Sequence, residues 1–138
     1  MRFAGRISKD GKFWLAEVPL FEAMTQGRTR KEAMAMLEDW FETMANQRGF
    51  AVNVVEQGDE VQVVSKDTRT LIRFLLQRRR EISGLSLAEV AIRLGAKSRN
   101  TYARYESGRS VPSLEKLDDL LRAVSPGKDF VIQETAAA

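Results

Sequence analysis

Apolar and polar residues alternate in two runs at the start of the chain, and Asp10-Gly11 separates the runs. An acidic residue followed by glycine between alternating runs predicts a β-hairpin with a two-residue turn. In that register Ile7 faces Trp14 and Phe3 faces Val18. Because successive side chains of a strand point to opposite faces, these four residues share one face, which is the predicted core.

The next part of the chain predicts one more strand, a helix and a second hairpin. A third strand is predicted over residues 22–26. Thr29 and Glu32 then have the spacing of a capping box, in which each side chain binds a free backbone amide, so a helix should begin there and run to about Asn46. Residues 50–65 predict the second hairpin, which either extends the sheet or pairs across a dimer. The helix has an apolar stripe at helical spacing: Ala33, Met36, Leu37, Trp40, Phe41 and Met44.

The second half changes to short helical patterns, and four of them fit between residues 67 and 125. Ser86 and Glu89 form another capping box, and Ser113 caps the last helix after a proline. Gly95 supplies the chain reversal that follows the second helix. The last helix has a predicted apolar stripe of five residues: Leu114, Leu117, Leu120, Leu121 and Val124.

A short strand is predicted after the last helix, from Asp129 to Gln133. It is alone in its part of the chain, and a lone strand leaves its backbone groups unpaired. We expect a homodimer or a higher even oligomer, in which the strand pairs with its copy through Phe130, Val131 and Ile132. A docked or frayed tail is the alternative.

Together the patterns predict an α+β chain of two domains. Residues 1–66 are expected to form antiparallel strands and one helix, and residues 67–138 are expected to be mainly helical.

The composition limits the chemistry, because the chain contains no cysteine and no histidine. This excludes disulfides, thiolate nucleophiles, imidazole bases and ordinary zinc sites. We expect that the protein is not an enzyme and that it binds no cofactor. No run approaches the roughly 20 apolar residues that a membrane span needs. The first residues lack the apolar run of a signal peptide, so we expect a cytoplasmic protein.

Basic residues are concentrated between Arg69 and Arg109, where ten lysines and arginines stand against three glutamates. Such a concentration is typical of surfaces that bind polyphosphate. A solvated basic face is the alternative interpretation. The charge alone does not decide between them, and the motif in the same segment favours the first.

The motif lies in the segment LSLAEVAIRLGAKSRNTYARYESGRSVPSLEKLDDLL, where it combines Ala91, Leu94-Gly95, Tyr105-Glu106, Gly108 and Pro112-Ser113. This combination resembles the XRE, or Cro-type, class of helix-turn-helix repressor domains over residues 70–124. The apolar residue of the third helix falls one position later than in the family, at Tyr102, so the turn is one residue longer. We expect Tyr102 and Tyr105 to pack in the core.

The resemblance implies that the third helix binds in the major groove of double-stranded DNA. On the matching positions, Arg99 has the hydrogen-bonding groups for guanine and Asn100 those for adenine. Lys97 and Arg109 are expected to bind phosphates. Solvated surface side chains are the alternative for each. The full set of predicted DNA contacts is Lys97, Ser98, Arg99, Asn100, Thr101, Arg104 and Arg109.

The first half of the chain combines its order of hairpin, strand and helix with the words KDGKFWLAEVP and MTQGRTRKEAMAMLEDW. This combination resembles the HicB antitoxin family over residues 2–46. The resemblance implies a partial RNase H-like fold, and some members of the family carry an XRE-type domain at the C-terminus. It also implies that the first domain blocks a HicA-like toxin, a small basic ribonuclease that cleaves mRNA, while the second represses the operon.

The predicted toxin contacts lie on the sheet face opposite the core and in the loop after the second strand: Phe13, Leu15, Glu17, Phe21 and Met24. The alternative is that the second hairpin covers Phe13 and Leu15.

Two other functions stay open. One is a repressor whose N-terminal domain only dimerises or senses a ligand, and the other is a carboxylate nuclease. RNase H-type catalysis requires carboxylates that converge on metal ions, one of them on the first strand. The first strand offers no acid before the turn, so we expect no metal.

Overall fold

The computed structural model describes residues 1–136. Contacts divide the chain into two compact units, the first ending at Leu75 and the second beginning at Leu76. The fold is α+β, and all the strands found in the described residues belong to the first unit. No helix among the described residues combines the length and the apolar character that crossing a membrane would require.

The first unit contains a five-stranded sheet in the order β3-β2-β1-β5-β4, in which every neighbouring pair is antiparallel. The second hairpin joins the sheet through β5, which pairs with β1. Of the two alternatives for this hairpin, extension of the sheet is therefore confirmed. The strands are β1 (Phe3–Asp10), β2 (Phe13–Val18), β3 (Ala23–Gly27), β4 (Asn53–Gln57) and β5 (Glu60–Val64).

The first hairpin pairs Ile7 with Ala16. The predicted register, with Ile7 opposite Trp14, is wrong by two residues. The turn is Gly11-Lys12, where Gly11 has a φ of +60°. A turn with a positive φ only at its first central position favours glycine there, whereas a turn at Asp10-Gly11 would also require a positive φ at Asp10. A shift of two residues preserves the faces, so the predicted core face is confirmed by the burial of Phe3, Ile7, Ala16 and Val18.

Helix α1 (Arg30–Ala45) begins and ends as its capping residues predict. The Thr29 hydroxyl accepts a hydrogen bond from the Glu32 amide at 3.0 Å, and Asn46 ends the helix with a φ of 47°. Gly27 permits close packing of the helix on β3, because a Cβ at this position would lie 2.5 Å from the backbone nitrogen of Ala33. The local sequence therefore determines both ends of α1.

The apolar stripe of α1 is narrower than predicted. Ala33, Leu37 and Phe41 are buried and Trp40 is half-buried. Met36 and Met44 are exposed, so their assignment to the core is wrong. The residues at intervals of four contact the sheet, and the two methionines lie at the edge of this row.

An aromatic cluster forms the centre of the first unit. The ring of Phe21 lies 5.3 Å from that of Phe3, 4.8 Å from that of Phe41 and 5.3 Å from that of Phe74. Phe74 belongs to helix α2 (Thr68–Ile82). The contact boundary after Leu75 therefore falls later than the predicted boundary after Lys66, because the first turns of α2 contribute to this core. Whether residues 1–66 fold alone stays a prediction.

The second unit contains the remainder of α2 and three short helices, α3 (Leu87–Arg93), α4 (Asn100–Glu106) and α5 (Leu114–Val124). The four predicted helices are therefore confirmed. Leu114 is exposed, so its place in the predicted stripe is wrong; it is the first residue of α5. The core of this unit includes Leu76, Val90, Ala91, Tyr102, Leu120 and Val124.

The predicted C-terminal strand is not formed within the single chain, where the described residues 128–136 adopt no strand conformation. Phe130 is half-buried, whereas Val131 and Ile132 are exposed. Pairing of this segment with a second chain stays a prediction. Truncation after Gly127 should yield monomers, detected by sedimentation equilibrium as the mass of one truncated chain. A dimer that survives the truncation would contradict that role for the segment.

Candidate functional site

The turn between α3 and α4 is built by a glycine in the left-handed region. Gly95 has a φ of +74°. Its amide donates to the carbonyl of Ile92 at 2.9 Å, and the Ala96 amide donates to the carbonyl of Ala91 at 2.9 Å. These two bonds form a Schellman motif, which ends α3 and satisfies its last carbonyls. The chain is thereby redirected towards α4.

Helix α4 is preceded by a serine that caps its first amide. The Ser98 hydroxyl accepts from the Asn100 amide at 3.2 Å, and the Ser98 carbonyl accepts from the Thr101 amide at 3.1 Å. Arg99 already has helical dihedral angles. The predicted start of this helix near Ser98 is confirmed.

Two tyrosines attach α4 to the core of the second unit. Tyr102 and Tyr105 are both buried, as predicted. They are three residues apart and share one face of the helix. The opposite face carries Asn100 and Arg104, which are exposed. The tyrosines thereby decide which side chains of α4 are directed to solvent.

The predicted DNA contacts lie together on the surface around α4. Six of the seven are exposed, and Thr101 is half-buried. Within residues 1–136 the side chains of Lys97, Arg99 and Arg109 form no hydrogen bond or ion pair. The guanidinium of Arg104 lies 5.4 Å from the centre of the Tyr105 ring. Lys97, Arg99 and Arg109 are therefore directed to solvent, and the contacts of this surface with DNA stay a prediction.

A buried ion pair, which the sequence did not predict, joins α4 to α2. Arg80 donates to both carboxylate oxygens of Glu106, from Nε at 2.7 Å and from Nη2 at 2.9 Å. Its Nη1 donates to the Leu85 carbonyl at 2.9 Å. The side chains are 17% and 9% exposed. The bidentate bond to Glu106 raises the pKa of Arg80, so this arginine is a permanent cation.

Tyr102 belongs to the same buried group. Burial raises the pKa of Tyr102, and the adjacent Glu106 carboxylate raises it further. The phenol is therefore neutral at any physiological pH, and the group as a whole carries no net charge. A neutral group is compatible with the buried base of α4, since an unpaired buried charge is costly.

Two further hydrogen bonds attach the end of α2, and Ser83 directly after it, to the end of α5. Arg79 Nε donates to the Ser125 hydroxyl at 2.7 Å, and the Ser83 hydroxyl donates to the Val124 carbonyl at 2.7 Å. The basic run in α2 therefore has a structural role inside its own unit. Arg79 and Arg80 consequently do not belong to the candidate nucleic-acid surface.

Lys97 is the simplest of the candidates to test. Lys97→Ala should weaken binding to all DNA sequences equally and reduce the slope of log K against log salt by about one, because one phosphate contact is lost. Fluorescence anisotropy titrations at several salt concentrations measure this slope. Arg48→Ala, at an exposed arginine of the first unit, is the matched control. A slope equal to that of the wild type for Lys97→Ala would contradict the phosphate contact.

Four of the five predicted toxin contacts lie on the open face of the sheet, and the fifth is buried. Leu15 and Glu17 are half-buried on the sheet face opposite α1, and Phe13 and Met24 on that face are 39% and 59% exposed. The alternative that the second hairpin covers Phe13 and Leu15 is wrong, because this hairpin extends the sheet beyond β1.

Phe21 is fully buried in the aromatic cluster, so its prediction as a surface contact is corrected. The loop that contains it folds as a single 3₁₀ turn (Pro19–Phe21), and this turn directs the ring into the core. A sequence pattern places an aromatic residue in a loop, whereas only the tertiary fold decides whether the ring faces solvent.

Comparison with known proteins agrees with this geometry. A family model described as a helix-turn-helix domain matches residues 72–125, which include α3, the Gly95 turn and α4. No curated protein matches the chain. The matched segment has the order of elements, the tight turn and the exposed helix that DNA-binding domains of this kind use. Residues 72–125 are a helix-turn-helix DNA-binding domain, of a kind that acts in transcription regulation.

Proposed function

We propose that this chain is a transcriptional repressor and antitoxin, which binds its own operator through α4 and blocks a HicA-like ribonuclease with its first unit. The helix-turn-helix match supports the DNA-binding part. The antitoxin part rests on the resemblance of residues 2–46 to the HicB family and on one structural observation. In the first unit, α1 covers one face of the sheet, and the opposite face carries exposed apolar side chains.

The repressor activity depends on what α4 presents to a major groove. Arg99 carries the paired donors that match O6 and N7 of guanine, and the Asn100 amide matches N6 and N7 of adenine. Both side chains are exposed at the start of the helix, where recognition helices contact base edges. Lys97 and Arg109 flank them in sequence and supply positive charge for phosphates. A repressor bound in this way would block transcription from its operator.

The antitoxin activity depends on the open sheet face. Leu15 lies between Ser8 on one neighbouring strand and Gln26 on the other, and Met24 is on its diagonal. Phe13, Leu15 and Met24 therefore form a small apolar patch. A few well-packed side chains at the centre of a protein interface contribute most of its binding energy, so this patch is the surface to test for such a centre.

The surroundings of the apolar patch suit a basic partner. Glu17 lies on the same face, where its carboxylate accepts from Arg6 at 3.0 Å, and the exposed Glu22 is in the adjacent loop. Carboxylates around an apolar patch steer the approach of a cationic protein and contribute to specificity. We propose that the unit acts by covering the active site of the ribonuclease and not by any catalysis of its own.

The test replaces Phe13 and Met24 together with aspartate. Loss of two central apolar contacts should weaken binding of a HicA-like ribonuclease by about 30-fold or more, since hot-spot residues are worth about 2 kcal/mol or more. Isothermal titration and survival of cells that co-express the ribonuclease are the measurements. Met36→Asp, at an exposed methionine of α1, is the matched control.

Each result has a definite meaning. Weak toxin binding with unchanged DNA binding in the double variant supports the two-surface assignment. If the wild-type chain neither binds the ribonuclease nor protects cells, the antitoxin proposal fails. The chain would then be a repressor whose first unit only dimerises or senses a ligand.

A further inference from the structure

The cations on the surface around α4 differ in how they are held before any ligand binds. Within residues 1–136, the side chains of Lys97, Arg99 and Arg109 form no hydrogen bond, ion pair or ring contact. The Arg104 side chain also lacks hydrogen bonds and ion pairs there, but its guanidinium lies 5.4 Å from the centre of the Tyr105 ring. A cation within about 6 Å of an aromatic ring is attracted by the quadrupole of the ring. Arg104 therefore has a preferred position in the free protein.

The ring that attracts Arg104 is itself fixed. Tyr105 is 8% exposed and packs in the core of the second unit. Consecutive residues of a helix are about 100° apart around its axis, so the Arg104 side chain bends around the side of α4 to reach this ring. The bend draws the guanidinium away from the outermost line of the helix, where Asn100 lies one turn earlier. The guanidinium is thereby placed at the flank of α4.

The flank of a helix that lies in the major groove faces the walls of the groove. A helix with its side chains is about 10 to 12 Å across and the groove is about 12 Å wide, so the helix fills the groove. Base edges form the floor of the groove, and the two sugar-phosphate chains form its walls. A side chain on the outermost line therefore meets base edges, whereas one at the flank meets phosphates.

We propose that Arg104 binds a phosphate of the DNA backbone and that Tyr105 is the positioning residue for this contact. The assignment rests on the proposed binding of DNA through α4. A guanidinium over a ring keeps the N–H donors at its edge available, and these donors can form two parallel bonds with a phosphate. Because the ring already restricts the side chain, less conformational entropy is lost on binding. Arg104 then fixes the position of α4 in the groove, while Arg99 and Asn100 recognise bases.

Substitutions of Arg104 test the phosphate contact in the full-length chain, because this exposed side chain is not part of the core. Arg104→Ala should reduce the slope of log K against log salt by about one. It should weaken binding equally to a duplex that the wild type selects from a randomised library and to an unrelated duplex. Fluorescence anisotropy measures both. Arg122→Ala, at an exposed arginine of α5, is the matched control and should leave the slope unchanged.

Arg104→Lys separates the charge of the side chain from its geometry. The charge is kept, so the salt slope should equal that of the wild type. The affinity should fall by about 2- to 5-fold, because an ammonium forms no paired bonds with a phosphate and does not stack on a ring as a planar guanidinium does.

A double-mutant cycle tests the positioning role of Tyr105. Tyr105→Leu should weaken DNA binding by about 2- to 5-fold when Arg104 is present, and should have no further effect in the Arg104→Ala background. Circular dichroism at the assay temperature measures the folded fraction of each variant. A purely structural role of Tyr105 would have the same effect in both backgrounds. Tyr105→Phe keeps the ring and should bind nearly as tightly as the wild type.

Nuclear magnetic resonance of the free wild-type chain gives a measurement that does not depend on the folding of a core variant. The ring current of Tyr105 should shift the δ protons of Arg104 upfield. The order parameter of Nε should be higher for Arg104 than for Arg99, which has no ring contact within residues 1–136.

The proposal is overturned if Arg104→Ala has the salt slope of the wild type, or if it changes the base selected at one position, which would indicate a base contact. Equal effects of Tyr105→Leu with and without Arg104, or equal mobility of Arg104 and Arg99, also overturn it. Loss of binding by Tyr105→Phe has the same consequence, because the phenol hydroxyl would then form the contact.

Failure of this inference differs from failure of the proposed repressor. A wild-type chain that binds no duplex removes both. Wild-type binding that is unaffected by Arg104→Ala removes only the phosphate contact, and the tests of Lys97 and Arg99 stand unchanged.

Discussion

Replacing Arg99 with alanine is expected to weaken operator binding by about 5- to 150-fold and to relax the requirement for guanine at one position. The fold-change corresponds to about 1 to 3 kcal/mol, the contribution of one good bidentate contact to a base. The structure supports a large effect, because the side chain is exposed at the start of α4 and no group within residues 1–136 holds it. Truncation should therefore remove contacts with DNA and none within the domain.

Selection of bound sequences from a randomised DNA library, followed by titration, measures this effect. The wild type and Arg99→Ala should select sites that differ at one base pair, and Asn100→Ala should relax an adenine at a neighbouring position. The phosphate variant Lys97→Ala should select the same sites as the wild type with lower affinity. If Arg99→Ala selected the same sites as the wild type and bound them with the same affinity, the assignment of α4 as the element that recognises bases would be wrong.

Glu106→Ala should reduce the free energy of unfolding of the second unit by about 3 kcal/mol, because Arg80 is left as a partly buried cation without its carboxylate. For a unit of this size the melting temperature should fall by on the order of 10 °C. Thermal unfolding monitored by circular dichroism is the measurement. Since the pair joins α2 to α4, DNA binding should weaken with the loss of folded protein.

The chain provides a matched control for this ion pair. Asp118 and Arg122 form an exposed pair at 3.2 Å, with side chains 50% and 62% exposed. Exposed pairs contribute between about 0 and 1 kcal/mol, so Asp118→Ala should have little effect. The combined Arg80→Met/Glu106→Leu variant should recover much of the lost stability, because an apolar pair leaves no charge unpaired. Equal effects of Glu106→Ala and Asp118→Ala would show that burial of the pair is unimportant.

Features that depend on neighbouring residues were predicted from sequence. The capping residues Thr29, Ser86 and Ser113 each accept the expected amide hydrogen bond, so the starts of α1, α3 and α5 are confirmed. The turn at Gly95 is confirmed for the same reason. A cap or a Schellman turn involves residues within one or two helical turns of each other. The pattern of side-chain types therefore contains nearly all the information that the local conformation requires.

Features that depend on distant residues were missed or misplaced. Arg80 and Glu106 are 26 positions apart, and each has the sequence context of an ordinary helix surface residue. Phe21 has the context of a loop residue, yet three rings from distant elements surround it. The hairpin register was wrong because two adjacent turns around Gly11 place the same residues in the core, so burial does not distinguish them.

By itself, the sequence determined the order of strands and helices as far as Val124, the starts of α1, α3 and α5, and the collection of basic and amide side chains around α4, because periodicity and capping are local properties. Only the tertiary structure decided which strands pair, and that Phe21 is buried while Phe13 and Met24 are exposed. These facts depend on contacts between residues far apart in the chain. Such contacts form only when the elements pack together in one arrangement and water is excluded from the core.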